Sequence, residues 1–198
     1  MATKNAVLNY EQQFYLSGIL LSGVTNINGS YGIQENPINI IGKGHTYPVR
    51  NKALAGEFTL SKYYIGKEPL LNYTGDNPIS GSINFSNKNF GFKSGYLSSY
   101  SLSCDIGQIP QSSATISVYG NIGAGISASG NNAHPEIAIP NQGSISLNAT
   151  GYKTNRITNF DYALSIPRKP IYKIGSPHAI QVDRQFPIEQ NASFTLEI

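Results

Sequence analysis

Cysteine, tryptophan and charge are what this chain has least of. Its 198 residues hold one cysteine, Cys104, one methionine and no tryptophan. A lone cysteine excludes an intrachain disulfide framework and a multi-thiolate metal site. Cys104 stands in an alternating run, Leu102-Ser-Cys-Asp, where a buried small side chain fits better than a reactive thiol. Charged residues make up 13% of the chain, against about a quarter in an ordinary globular domain. That leaves a thin solubility margin for a free monomer and a comfortable one for a subunit covered by neighbours. The formal charge is +3 and the basic residues are scattered, which does not indicate a sequence-reading nucleic-acid surface but leaves room for transient contact with a phosphate backbone. No apolar run is long enough for a membrane span or for a secretory signal core, so a product made in the cytoplasm is expected.

Chemical motifs are equally scarce. His45, His134 and His178 are the only histidines, and the repeat-equivalent His45 and His178 each lack a nearby His, Cys, Asp or Glu at ligand spacing. Asp76, Asp105, Glu136, Asp161 and Asp183 are separated, with no calcium-loop pattern among them. No serine lies in Gly-x-Ser-x-Gly, and no paired acids suggest hydrolysis. Gly123-Ala-Gly125 lacks the strand-to-helix setting and later glycine of a dinucleotide fingerprint. No catalytic, cofactor-binding or metal residue is assigned, and the chain reads as a non-enzyme.

What the chain does have is Gly, Pro, Ser, Thr, Asn, Ile and Tyr in short alternating runs punctuated by turns, the pattern of strands joined tightly. Tyr15–Leu21, Val24–Tyr31, Glu57–Tyr64 and Ser80–Ser86 are strand candidates. Residues 43–55 read as a loop with three basic residues. Pro69-Leu70-Leu71 has room for half a turn of helix, and no segment supports the long crossover helices of a parallel α/β sheet. The expected fold is all-β: two packed antiparallel sheets forming a sandwich or partly closed barrel. Residues 1–198 are expected to form a single β domain, with residues 1–15 as an N-terminal arm or first strand.

The pattern is also repeated. Residues 24–49 align without a gap on 157–182, with Thr25, Asn26, Ile33, Pro37, Ile38, Gly42, His45 and Val49 matching Thr158, Asn159, Ile166, Pro170, Ile171, Gly175, His178 and Val182. Each copy runs on into a similar strand, Phe58-Thr-Leu60 or Phe194-Thr-Leu196. A weaker related unit at 97–118 keeps the leading apolar residue Leu97, then Ile106 and Pro110. Gly81-Ser-Ile-Asn-Phe85 and Gly143-Ser-Ile-Ser-Leu147 echo each other between the units. Such repeated units bury one apolar face against one another, so Ile33 and Ile166 are both expected in the core, and Gly42 and Gly175 at equivalent corners.

Several of these phrases together resemble a known family. Ile27–Gly42, Phe58-Thr-Leu-Ser-Lys62, Glu68-Pro-Leu-Leu-Asn-Tyr-Thr-Gly-Asp76, Pro78-Ile-Ser-Gly-Ser-Ile-Asn-Phe85, Gly107-Gln-Ile-Pro110 and Tyr172-Lys-Ile-Gly-Ser-Pro177 resemble tailed-bacteriophage tail tube, or major tail, proteins. The resemblance implies a structural virion protein whose curved sheets join in hexameric rings. Those rings stack into a DNA conduit beside other tail proteins, without a membrane, after assembly in the host cytoplasm. Other readings of the same residues are a tail terminator, baseplate, collar or capsid decoration protein, or a receptor- or glycan-binding β module stacking sugars on Tyr63, Tyr64, Tyr73 and Tyr96. For the tube reading, residues 43–55, 63–79 and the N-terminal arm are the expected ring-to-ring contacts.

Overall fold

The computed structural model describes residues 12–33, 35–42, 44, 46–50, 53–65, 68–85, 88–128, 147–149 and 152–197. They form a mostly antiparallel β structure. In chain order the first strands are β1 (Gln12–Leu16), β2 (Ile19–Leu20), β3 (Val24–Gly32), β4 (Glu35–Asn39), β5 (Thr46–Arg50) and β6 (Ala55–Tyr63). A short 3-10 helix, Pro69–Tyr73, precedes β7 (Ile79–Phe85), β8 (Lys88–Asp105), β9 (Gln111–Val118) and β10 (Ile122–Ala124). After β11 (Leu147–Ala149) and β12 (Tyr152–Thr154) come β13 (Ile157–Ser165), β14 (Arg168–Ile171), β15 (Gln181–Arg184) and β16 (Glu189–Leu196).

Two expected boundaries move. The run 15–21 is a hairpin rather than one strand, because Ser17 (φ 47°) and Gly18 (φ 82°) both take left-handed backbone, the geometry of a tight two-residue turn. Within 43–55, Thr46–Arg50 is strand β5, paired with β4 through Pro37 opposite Pro48; prolines are tolerated there because this two-stranded hairpin is edge on both sides. The expected half-turn appears as the 3-10 helix, with Pro69 at its start and the Glu68 carboxylate accepting from the Leu70 N–H. Residues 1–11 of the expected arm, and most of the echo strand before Leu147, lie outside the described residues.

The long strand β8 organises the ten-stranded sheet. Its first half pairs with β7 on one edge and β10 on the other; its second half pairs with β13 and β9. The change of partners falls at Ser94, which has φ 58°, opposite a bulge between Ile79 and Gly81. Bulges bend strands, and here the sheet folds into two wings, β2-β1-β7-β8-β10 and β3-β6-β9-β8-β13-β16. The core lies between them. Phe92 from the first wing meets Phe58 from the second at 4.7 Å between ring centroids, joined by Phe14, Leu16, Leu60, Leu97, Ile116 and Leu164. Gly81 and Gly95 flank the Phe92 ring so closely that a Cβ on either would sit 2.4 to 2.5 Å from a ring carbon. Ring and glycines are therefore one packing unit.

The internal repeat is visible in the pairing. β3 and β6 enclose the hairpin β4–β5, and β13 and β16 enclose the hairpin β14–β15. Both long pairs carry a bulge at the same place, Val24/Asn26 and Ile157/Asn159. In each, the extra residue is a threonine whose hydroxyl donates across the bulge, Thr25 to the Ser61 carbonyl at 3.1 Å and Thr158 to the Thr195 carbonyl at 3.3 Å. The weaker unit repeats the device, with a bulge at Leu97/Ser99 and the Ser98 hydroxyl donating to the Thr115 carbonyl at 3.0 Å. Gly42 and Gly175 have φ 83° and 84°, a conformation in which glycine has no steric cost. Ile33 departs from expectation: it is 42% exposed, while its counterpart Ile166 is 1% exposed. The reason is topological, since β13 has β8 along its outer edge and, among the described residues, β3 pairs only with β6.

Candidate assembly surface

Side chains alternate across a strand, so the six-stranded wing has one core face and one open face. Pairing register carries the open face across the wing in rows. One row reads Asn191, Ala163, Ser101, Ser113, Ser61, Asn26; the next reads Glu189, Ser165, Ser99, Thr115, Thr59, Asn28. Nearly every position is a small hydroxyl or amide residue. Among the described residues, the charged side chains that the wing's strands give this face are Glu57, Asp105, Asp161 and Glu189, while Arg168 lies over Tyr96 at its hairpin end. Neighbours hold the groups in place: Ser103 Oγ donates to Asp161 Oδ1 at 2.6 Å, Asn159 Nδ2 to Asp105 Oδ1 at 2.7 Å, and Ser101 and Ser113 share a 2.8 Å hydrogen bond. A chain of formal charge +3 thus presents a sheet face to which its described strands contribute acids and no bases, a segregation that total charge conceals.

Both lateral edges of this wing are open among the described residues, because β3 pairs only with β6 and β16 only with β13. Unpaired strand edges offer a row of N–H and C=O groups to a partner strand. Exposed apolar side chains stand near both, Tyr31 and Ile33 at the β3 edge, Phe186 and Phe194 at the β16 edge.

The two hairpins project isoleucines. Ile41 and Ile174, each one residue before the equivalent glycines, are 102% and 104% exposed. Their anchoring differs. β14–β15 is held to the body by Arg168, whose buried guanidinium donates to the carbonyls of Leu97 (3.0 Å), Thr74 (3.4 Å) and Gly75 (3.0 Å) and to Asp76 Oδ1 (3.2 Å), and lies 5.6 Å from the Tyr96 ring centre. Arg184 meets the same Asp76 oxygen at 2.7 Å. Burial pulls the Arg168 pKa down, and Asp76 opposes that. At the positions equivalent to Arg168 and Arg184 the first copy has Glu35 and Asn51, and β4 is exposed along its whole length.

Beneath the wing, Lys62 reaches the core face and is buried with Glu68, Nζ to Oε2 at 2.9 Å, while Ser112 Oγ donates to the same oxygen at 3.2 Å. Tyr100 packs beside them; burial first, then the Glu68 charge, raise its hydroxyl pKa above 10.0. This cluster ties β6, β9 and the 3-10 helix together.

Of the residues singled out in the sequence, His45, His134 and Glu136 lie outside the described residues. His178 is half-buried, its N–H bonded to Ser176 Oγ at 3.3 Å. Asp76, Asp105, Asp161 and Asp183 each serve a different local partner. Among the described residues no group of three or more His, Cys, Asp or Glu is placed to hold a metal ion, and no helix is long and apolar enough to cross a membrane. Tyr63, Tyr64, Tyr73 and Tyr96 do not form an exposed stacking platform: Tyr96 is buried and the other three are half-buried. Cys104 is a free, half-buried thiol whose pKa burial pushes up.

No family model and no curated protein matches this chain. Parts of three solved assemblies are similar to it. The sheath/tube terminator of the extracellular contractile injection system PVC, in its extended state, matches with TM-score 0.49 and 11% identity over 63% of this chain and 100% of that one. The tube-terminating cap of the anti-feeding prophage AFP matches with TM-score 0.49 and 15% identity over 64% of this chain and 95% of that one. A chain of the native gene transfer agent virion matches with TM-score 0.47 and 4% identity over 61% of this chain and 100% of that one.

Proposed function

We propose that the protein is a structural subunit of a phage-tail-like particle. In this reading its six-stranded wings join edge to edge in a ring and the rings stack around a passage for DNA. The observation that carries this reading is the open sheet face, small, hydroxylated and given acids and no bases by its described strands, bounded by two edges unpaired among the described residues. Six antiparallel strands leave β3 and β16 running in opposite directions, so β16 of one copy meets β3 of the next with antiparallel polarity when copies are related by rotation. That is a head-to-tail contact that closes into a ring, and closure removes both edges. A lumen lined by hydroxyls and carboxylates repels phosphate weakly, and its described strands offer no cation to retain it, so DNA passes without tight binding. The exposed hairpins and the 63–79 segment then serve ring-to-ring contact or other tail proteins. A six-fold ring is part of the proposal.

Mass measurement across protein concentration, with electron microscopy of the same samples, tests it. Six-membered rings that stack into tubes support a tube subunit. Single rings that never stack support a tube terminator or cap. A stable monomer at about 100 μM, a concentration at which even weak specific contacts are populated, overturns the assembly reading.

A further inference from the structure

Resting on the ring reading, the difference between the two repeat copies points to the residues that meet at the joint. Ile166 follows β13 and is buried in its own chain, its N–H donating to the Ser98 carbonyl of β8 at 2.8 Å. Ile33 follows β3 at the equivalent point and keeps the same side chain, yet among the described residues no strand lies along that edge. At the opposite edge of the wing, the segment leading into β16 exposes Phe186 by 75% and β16 exposes Phe194. Strand polarity sets Ile33 and Phe186 side by side. β3 ends, and β16 begins, at the hairpin end of the wing, so in an antiparallel joint the residue after β3 adjoins those before β16.

Charge agrees with this placement. Arg168 and Arg184 share the single carboxylate of Asp76, which leaves an excess positive charge there, with Arg184 and Asp76 both accessible. Glu35, exposed just beyond Ile33, has the complementary sign.

We propose that a second copy of this chain covers Ile33, with Phe186 of one copy packing on Ile33 of the next and Glu35 joining the Asp76–Arg184 pair. The contact is heterologous, each copy giving one half and receiving the other. In one chain the two halves lie across six strands, about 24 Å at roughly 4.8 Å per strand spacing, so they cannot meet within a monomer.

Disulfide trapping in a Cys104→Ser background tests the contact. Protein carrying Ile33→Cys is mixed with protein carrying Phe186→Cys and oxidised, and the same is done with Ile19→Cys, an exposed position on the other wing, in place of Phe186→Cys. The Ile33/Phe186 mixture is expected to give at least ~10-fold more heterodimer than the Ile33/Ile19 mixture, because a shared joint raises the effective thiol concentration. The doubly substituted Ile33→Cys/Phe186→Cys chain is expected to give a ladder ending at the ring size. Rings that form while the two mixtures cross-link equally overturn this contact and leave the ring reading standing. A protein that stays monomeric overturns both. Ile33→Asp supplies the converse: assembly lost, with the circular-dichroism spectrum of the chain unchanged.

Discussion

Ile33 and Ile166 show how far a single side chain's role is set by what lies beside it. Sequence alone makes them equivalent, and both were expected inside. The backbone positions are equivalent, but β8 covers one and not the other. Ile166→Ala is therefore expected to cost about 2 to 5 kcal/mol and Ile33→Ala less than about 0.5 kcal/mol in the monomer; chemical denaturation of the two variants below the assembly concentration checks this. The buried Lys62–Glu68 pair was missed, although the strand parity of Phe58, Leu60 and Lys62 already pointed the lysine inward. Its partner, six residues on across a loop, had no such signal. Glu68→Ala leaves an uncompensated buried ammonium and is expected to cost about 3 to 5 kcal/mol, whereas the double change Lys62→Met/Glu68→Leu recovers most of that. Tyr100 adds a pH dependence. Its folded pKa is raised above 10.0 by burial and by Glu68, so its contribution is whole below pH 10 and is lost as pH rises through the folded value. Denaturation midpoints measured through the alkaline range are expected to fall for the natural chain and to fall less for Tyr100→Phe.

Elements were legible where alternation and turn chemistry agreed. Glu57–Tyr64, Ser80–Ser86 and the proline-led half-turn were found within a residue or two. The hairpin at Ser17-Gly18 was hidden because serine rarely announces a left-handed backbone, and β5 because basic residues and Pro48 read as loop. The three bulges had a trace in the aligned hydroxyl residues Thr25, Thr158 and Ser98, but only the register shows what the hydroxyl does. The hairpins differ in anchoring for a reason that is local and electrostatic: Arg168 and Arg184 stand where Glu35 and Asn51 stand in the first copy. Asp76→Ala is expected to leave β14–β15 held by Arg168 to carbonyls alone. Amide exchange should accelerate across 168–184 while β4–β5 keeps its rate; equal change in both hairpins would show that the clamp does not act on one of them.

At the scale of the whole molecule, the sequence carried the all-β class and the repeat, and it left the surface chemistry unread. Its balance of +3 and its scattered lysines gave no sign that the described strands give one sheet face acids and no bases, because that separation is made by strand parity and register across six strands distant in the chain. Low overall charge, two edges open among the described residues and unsheltered isoleucines are the features that support the proposed subunit role. The most direct test is a three-dimensional electron-microscopy map of the assembled protein. The account predicts rings whose inner wall is the Ser101–Ser113–Asp161–Glu189 face, with β16 of each subunit beside β3 of the next. A map with that face turned outward, or with β3 and β16 unpaired in the assembly, would contradict it.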